Sequence, residues 1–194
     1  MHQTGQWGIR TVSSETTFRP GYSGRDFNPA LIAAGAIAAV AVAAIAGAWF
    51  FQLVLGIQPC ELCLEQRYAY YLIIPLAAVV AWSASRGASR ALLLAGFAVL
   101  ALAAFANAAL GAYHSGVEWG WWPGPTACSG PIADFGKPGN LLESLKTLRV
   151  VRCDEVQWRF LGLSLAGYNV LISLFMAILA LWGFGATSKM RQPS

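Results

Sequence analysis

Four long apolar stretches divide the chain, at residues 30–57, 68–84, 91–113 and 160–186. The first has no charged residue, and Gln52 is its one strongly polar side chain. At about 1.5 Å of rise per helical residue, such runs approach or exceed the roughly 20 residues that cross a bilayer. The run at 68–84 is only just long enough, and its Pro75 predicts a kink. The pattern therefore predicts an all-α membrane protein, a bundle of four transmembrane helices. Their Ala and Gly content lets helix backbones approach closely. Asn107, inside the third run, reads as an interhelical hydrogen-bonding group rather than a catalytic one.

The segments between the runs differ in character. Arg86 and Arg90 mark a short polar turn. Two other segments, 58–67 and 113–159, carry all four cysteines. The second is longer than a passive connection needs to be. Its Trp119, Trp121, Trp122 and Trp158 suit a membrane interface, where one end of the ring is dry and the other wet. Leu141, Leu142, Leu145, Leu148 and Val151 recur at helical spacing, with Lys146, Arg149 and Arg152 for the polar side. That predicts a short helix lying on the membrane surface. Residues 1–29 are polar and lack the apolar core of a signal peptide, so they read as a disordered tail, and 187–194 form a second tail.

Composition agrees. Apolar residues make up 57% of the 194 and charged residues 11%, against about 25% charged in a soluble domain. The net charge of +4 is dispersed, with no basic patch interleaved with aromatic residues. This points to lipid and excludes nucleic acid as the expected partner.

The candidate chemistry sits at 59–67, Pro-Cys-Glu-Leu-Cys-Leu-Glu-Gln-Arg. With a helix starting at Pro59, Cys60, Cys63 and Arg67 would share one face, and the helix N-terminus and the Arg67 guanidinium would both favour thiolate. Glu61, inside the C-x-x-C, should oppose it. Three readings compete for the cysteines. Zinc would require a second close pair, whereas Cys128 and Cys153 are far apart in sequence. Structural stapling suits a Cys128–Cys153 bridge but not Cys60–Cys63, which closes almost no loop. A relay of two dithiol pairs uses all four.

Four spans put both cysteine segments on one side of the membrane. The charge count hardly orients them, with seven Lys or Arg on the tail and turn side and six on the other. The short Arg86/Arg90 turn and the Lys189/Arg191 end fit a cytoplasmic face. Paired cysteines persist outside the cytosol, which places the cysteine segments in the periplasm and both termini in the cytoplasm.

At these residues the chain resembles the disulfide bond formation protein B (DsbB) family of membrane thiol oxidases. The resemblance rests on the P-C-x-x-C-x-x-x-R stretch at 59–67, Tyr113-His114 at the end of the third run, the aromatic run into Cys128, and Cys153-Asp154 followed by Gln157-Trp158-Arg159-Phe160-Leu161-Gly162-Leu163. It implies an inner-membrane thiol:quinone oxidoreductase in which Cys128, paired with Cys153, reoxidises a periplasmic DsbA-like dithiol protein. Electrons would then pass to Cys60/Cys63, with Cys60 next to a bound ubiquinone or menaquinone bordered by Arg67 and His114. A vitamin K epoxide reductase-like quinone reductase, or a membrane protein with purely stapling disulfides, are the alternative readings.

Overall fold

The computed structural model describes residues 28–125 and 152–189. Its helices are α1 (Pro29–Leu53), α2 (Glu61–Ser85), α3 (Arg90–Glu118) and α4 (Leu165–Lys189), each long and apolar enough to cross a membrane. Before α4 stands a two-stranded antiparallel hairpin, β1 (Arg159–Phe160) and β2 (Leu163–Ser164), with Arg159 opposite Ser164 and Phe160 opposite Leu163. The expected surface helix at 141–151 and both tails lie outside the described residues, apart from Asn28, Pro29 and the last turn of α4.

The helices form a closed ring in which α1 packs on α2, α2 on α3, α3 on α4 and α4 on α1. Small residues make this possible. The core along α1 is Ala30, Ala33, Ala34, Ile37 and Ala41, which meet Phe97 and Leu100 of α3 and Met176, Ala177 and Ala180 of α4. Van der Waals fit holds such a bundle together, because lipid leaves little hydrophobic drive between helices. The outside is equally apolar: Leu102, Ile178 and Trp82 are 71%, 62% and 60% exposed. A surface of that kind needs hydrocarbon around it, and the chain is a multi-pass membrane protein.

Polar ties hold the ring at two levels. In the interior, Asn107 of α3 donates to Ser173 Oγ (3.0 Å) and Asn169 Oδ1 (3.3 Å) of α4, and the Tyr70 hydroxyl of α2 donates to the same Asn169 oxygen at 2.6 Å. Asn107 is thus the interhelical group expected of it. At the end away from the cysteines, Asn28 donates to the Ala84 carbonyl (3.1 Å) and Arg90 to the Ser188 carbonyl.

The helix ends differ from the hydropathy boundaries, each for a local reason. α1 stops at Leu53 rather than 57, because Gly56 takes φ +68° and turns the chain. α2 begins at Glu61, seven residues before its apolar run, with Cys60 as N-cap; Pro59 therefore precedes the helix instead of opening it. α3 runs on through His114 to Glu118. Residues 160–164 do not open α4. Leu161 (φ +48°) and Gly162 (φ +83°) make the two-residue turn that a tight hairpin requires, and the Ser164 hydroxyl caps α4 by accepting from the Gly167 amide at 3.2 Å. α2 continues through Pro75 to Ser85.

Three helices meet tightly at Gly183, where an added Cβ would stand 2.5 Å from the Phe97 ring and 2.9 Å from Ala33 Cβ. Gly183→Val should therefore destabilise the bundle by about 1–3 kcal/mol, as overpacking does. Gly35→Ala, with nothing within 4 Å, should be close to neutral. Thermal unfolding of both variants in detergent checks this; equal melting points would refute the ring packing at Gly183.

Candidate functional site

The extra turns of α2 and α3, beyond their apolar runs, build the site. Cys60 caps α2: its sulfur accepts from the Cys63 amide at 3.4 Å and lies 2.9 Å from Cys63 Sγ. Both are free thiols, so this is a hydrogen-bonded dithiol. From α3, His114 Nε2 approaches Cys60 Sγ at 3.6 Å, while its Nδ1 accepts from Gln66 Nε2 at 2.9 Å. That bond leaves the ring proton on Nε2, facing the sulfur. One helical turn on, Glu118 Oε1 lies 3.9 Å from His114 Nε2, and Glu118 also accepts from the Ser164 hydroxyl. His114 and Gln66 are buried.

These contacts act on Cys60 together. A hydrogen bond from the Cys63 thiol, then the His114 N–H, then the Cys63 amide, outweigh the cost of burial and hold the Cys60 thiol down at about 5. A thiolate at a helix N-terminus is the expected nucleophile of disulfide exchange.

Arg67 stands elsewhere than expected. It donates to Gln52 Oε1 (2.6 Å) and to the Ala48 carbonyl (3.3 Å) of α1, with its guanidinium 5.6 Å above the Trp49 ring. It is not among the groups that set the Cys60 thiol. Glu61 is exposed on the first turn of α2 and is not among them either.

Arg67 and the dithiol nevertheless border one space, a cavity of about 620 Å³. Cys60, Cys63, Gln66, Arg67, His114 and Glu118 supply its polar wall, and α1, α4 and Trp158 supply apolar surface. Trp158 does more than anchor the chain. It stacks on Phe160 (5.9 Å, 13°) and meets Phe51 edge-on at 4.9 Å, so the hairpin and the end of α1 close over the cavity. Trp119 and Trp121, in contrast, are 53% and 67% exposed beyond α3, as interface anchors would be.

Of the second pair, Cys153 is disulfide-bonded and 1% exposed. It packs in one apolar cluster with Cys60, Leu62 and Val117. Cys128 lies outside the described residues.

Sequence reasoning missed Gln66 and Glu118. Ending the third helix at residue 113 hid the i, i+4 relation of His114 and Glu118; Gln66 follows Cys63 at i, i+3 on the helix expected from Pro59, but its partner, His114, stands on another helix.

A four-span membrane protein that holds a dithiol on a helix N-terminus, beside an imidazole and against a second, disulfide-bonded cysteine, is a membrane thiol–disulfide oxidoreductase. The comparisons narrow the class. The family model described as Disulfide bond formation protein DsbB matches residues 31–183, and the chain belongs to that family. It is 31% identical over 148 residues to the disulfide bond formation protein B of Polaromonas sp. strain JS666, covering 72% of this chain and 82% of the relative. The proteins of that name from Azoarcus sp. strain BH72 (30%, covering 76% and 87%) and Nitrosococcus oceani (31%, covering 74% and 83%) are similar to it. Its activity is disulfide-forming oxidation.

The Cys60 thiolate should persist down to about pH 5, well below the roughly 8.5 of a free cysteine. Thiolate absorbance of the reduced chain against pH measures this. Cys63→Ala should raise the midpoint, since it removes the largest stabilising contact, and His114→Ala should raise it too. A midpoint in the ordinary thiol range for the unsubstituted chain would refute the assignment.

Proposed function

We propose that the chain reoxidises a periplasmic DsbA-like dithiol protein and passes two electrons to ubiquinone or menaquinone, in the inner membrane with both termini cytoplasmic. The observation that carries this reading is the cavity on which Cys60, Cys63, Arg67 and His114 converge. Its lining combines apolar surface from α1 and α4 with donors such as Arg67 and His114, as a prenylated ring requires. On closing to a disulfide, Cys60 and Cys63 would release two electrons and the one Cys63 thiol proton; with a second proton from solvent, this is what reduction of a quinone held there requires.

The chain's own residues divide the work. Cys60, as thiolate, is the electron-rich sulfur at the cavity wall. Cys63 gives up its thiol proton as the Cys60–Cys63 bond forms. His114 holds an N–H toward Cys60, fixed there by Gln66. Arg67 presents a charged fork, clamped by Gln52 and Ala48, as a donor for a ring oxygen on which negative charge builds. Trp158, Phe160 and Phe51 keep water from the ring. The burial of Cys153 against Cys60 supports exchange between the two pairs, and it leaves Cys128 as the cysteine for the protein partner to attack.

Mixing the purified chain with a reduced DsbA-like protein and a quinone should bleach the quinone at the rate the partner is oxidised. Cys128→Ser should abolish partner oxidation while quinone still oxidises Cys60/Cys63; normal turnover of that variant would overturn the order of the relay. Single cysteines introduced at exposed positions of the two cysteine segments, such as Glu61 and Asp154, should react with impermeant thiol reagents added outside the inner membrane, and labelling of only one segment would overturn the orientation.

Arg67→Gln should raise the quinone KM about tenfold or more. It removes a charge-assisted hydrogen bond of roughly 1.5–3 kcal/mol. Arg67→Lys should fall between, since an ammonium cannot reach Gln52, the Ala48 carbonyl and a quinone oxygen together. Unchanged kinetics in Arg67→Gln would reduce Arg67 to a clamp between α1 and α2.

A further inference from the structure

The cysteine spacing argues against a zinc site made of two cysteine pairs, but the fold offers a different ligand set. Cys60 Sγ, Cys63 Sγ and His114 Nε2 lie within 4.8 Å of one another, on two helices facing the cavity. Two thiolates and an imidazole are the donors a borderline-soft ion such as Zn²⁺ selects. With Zn–S about 2.3 Å and Zn–N about 2.0–2.1 Å, a tetrahedral ion holds sulfur and nitrogen roughly 3.5 Å apart and two sulfurs roughly 3.8 Å apart. The Cys60–His114 separation of 3.6 Å already meets the first figure. The sulfurs, at 2.9 Å, must separate by about 1 Å, a small rotation for the partly exposed Cys63 side chain. Glu118 Oε1 lies 3.9 Å from His114 Nε2 but outside this three-donor cluster, so water would take the fourth position, as at open zinc sites. Gln66 supplies the outer support that metal-binding histidines use.

We propose that the reduced Cys60/Cys63 dithiol, with His114, binds one Zn²⁺, and that the disulfide form does not. The chemistry involves no electron transfer. Two metal–sulfur bonds and one metal–nitrogen bond form, and the Cys63 thiol proton is released to solvent. The ring proton moves from Nε2 to Nδ1, and the Gln66 amide turns over so that its oxygen accepts it. Oxidation to the disulfide removes both thiolates and with them the site. Zn²⁺ would thus withdraw the dithiol from turnover in the one state that must give up electrons. The binding rests on the side-chain geometry alone, while this consequence for turnover rests on the function proposed above.

The test uses the full-length chain with Cys128→Ser and Cys153→Ser, so that Cys60 and Cys63 are the only thiols, reduced in detergent without oxygen. Co²⁺ serves as a visible probe. We expect tetrahedral cobalt absorption with a thiolate charge-transfer band, saturating at one ion per chain and displaced by Zn²⁺. Both features should vanish when the pair is oxidised, and His114→Ala should weaken binding by at least the roughly 10–100-fold that even an outer-shell change costs. A spectrum without the thiolate band, or cobalt binding equal in the oxidised and reduced chain, would overturn the proposal, and the oxidised comparison decides even if His114→Ala fails to fold. Quinone reduction by the metal-free chain, measured alongside with Cys128 and Cys153 intact, reports on the function separately. Its absence together with tight cobalt binding would sink the quinone reading and keep the metal site.

Discussion

Cys60 has to be a helix cap, a nucleophile and a buried group at once, and the surrounding structure follows from that demand. A sulfur is a weak acceptor, so capping α2 with it satisfies the helix poorly unless the sulfur is charged. The Cys63 amide at 3.4 Å and the open N-terminal end of the helix are what a thiolate needs. Burial works against the charge, and the dithiol hydrogen bond and His114 together overcome it. Each of these contacts is short and directional, so each depends on two helix ends being held in register.

The membrane explains how that register is kept. In hydrocarbon every backbone polar group must find its partner within the chain, which makes four helices the natural solution and drives the chemistry to their ends. Asn107, Asn169, Ser173 and Tyr70 tie α2, α3 and α4 together below the site. The small residues along α1, with Gly183, let the ring close tightly enough that His114 of α3 meets Cys60 at the start of α2. Packing in the apolar interior thus sets a distance at the polar rim.

This division also explains what could be read from the sequence. The four spans were legible because lipid demands long apolar runs, and Asn107 was legible because an amide at that depth has few uses. The helix ends were not, because hydropathy reports where the surroundings change from oil to water and says nothing of where backbone hydrogen bonding stops. α2 gains its first turns and α3 its last one in that polar margin. Cys63, Gln66, Arg67, His114 and Glu118 all stand on those turns, so Cys63, Arg67 and His114 were visible as candidates while Gln66, Glu118 and the contacts among the five were hidden. Arg67 illustrates the limit. Its position relative to Cys60 follows from helical spacing, but its direction was set by Gln52, Ala48 and Trp49 on another helix, which no local pattern announces. The hairpin at 159–164 was missed for a related reason, since Phe160-Leu161-Gly162-Leu163 reads as apolar continuity unless Gly162 is taken as a turn.

The source of the Cys60 charge carries a further implication. Had Arg67 supplied it, the thiolate would be favoured by a fixed charge whatever the state of the neighbouring cysteine. The largest stabilising contact instead comes from the Cys63 thiol, the group that becomes its covalent partner on oxidation. The anion is therefore specific to the dithiol state: it exists when two electrons are available to leave, and the bond that forms as they leave consumes both the donor and the acceptor of that hydrogen bond. Arg67, freed from this task and clamped to α1, keeps its charge at the cavity wall in either redox state. The fold thus separates a permanent cation, which a bound molecule can meet at any time, from a transient anion that appears only when the site is loaded.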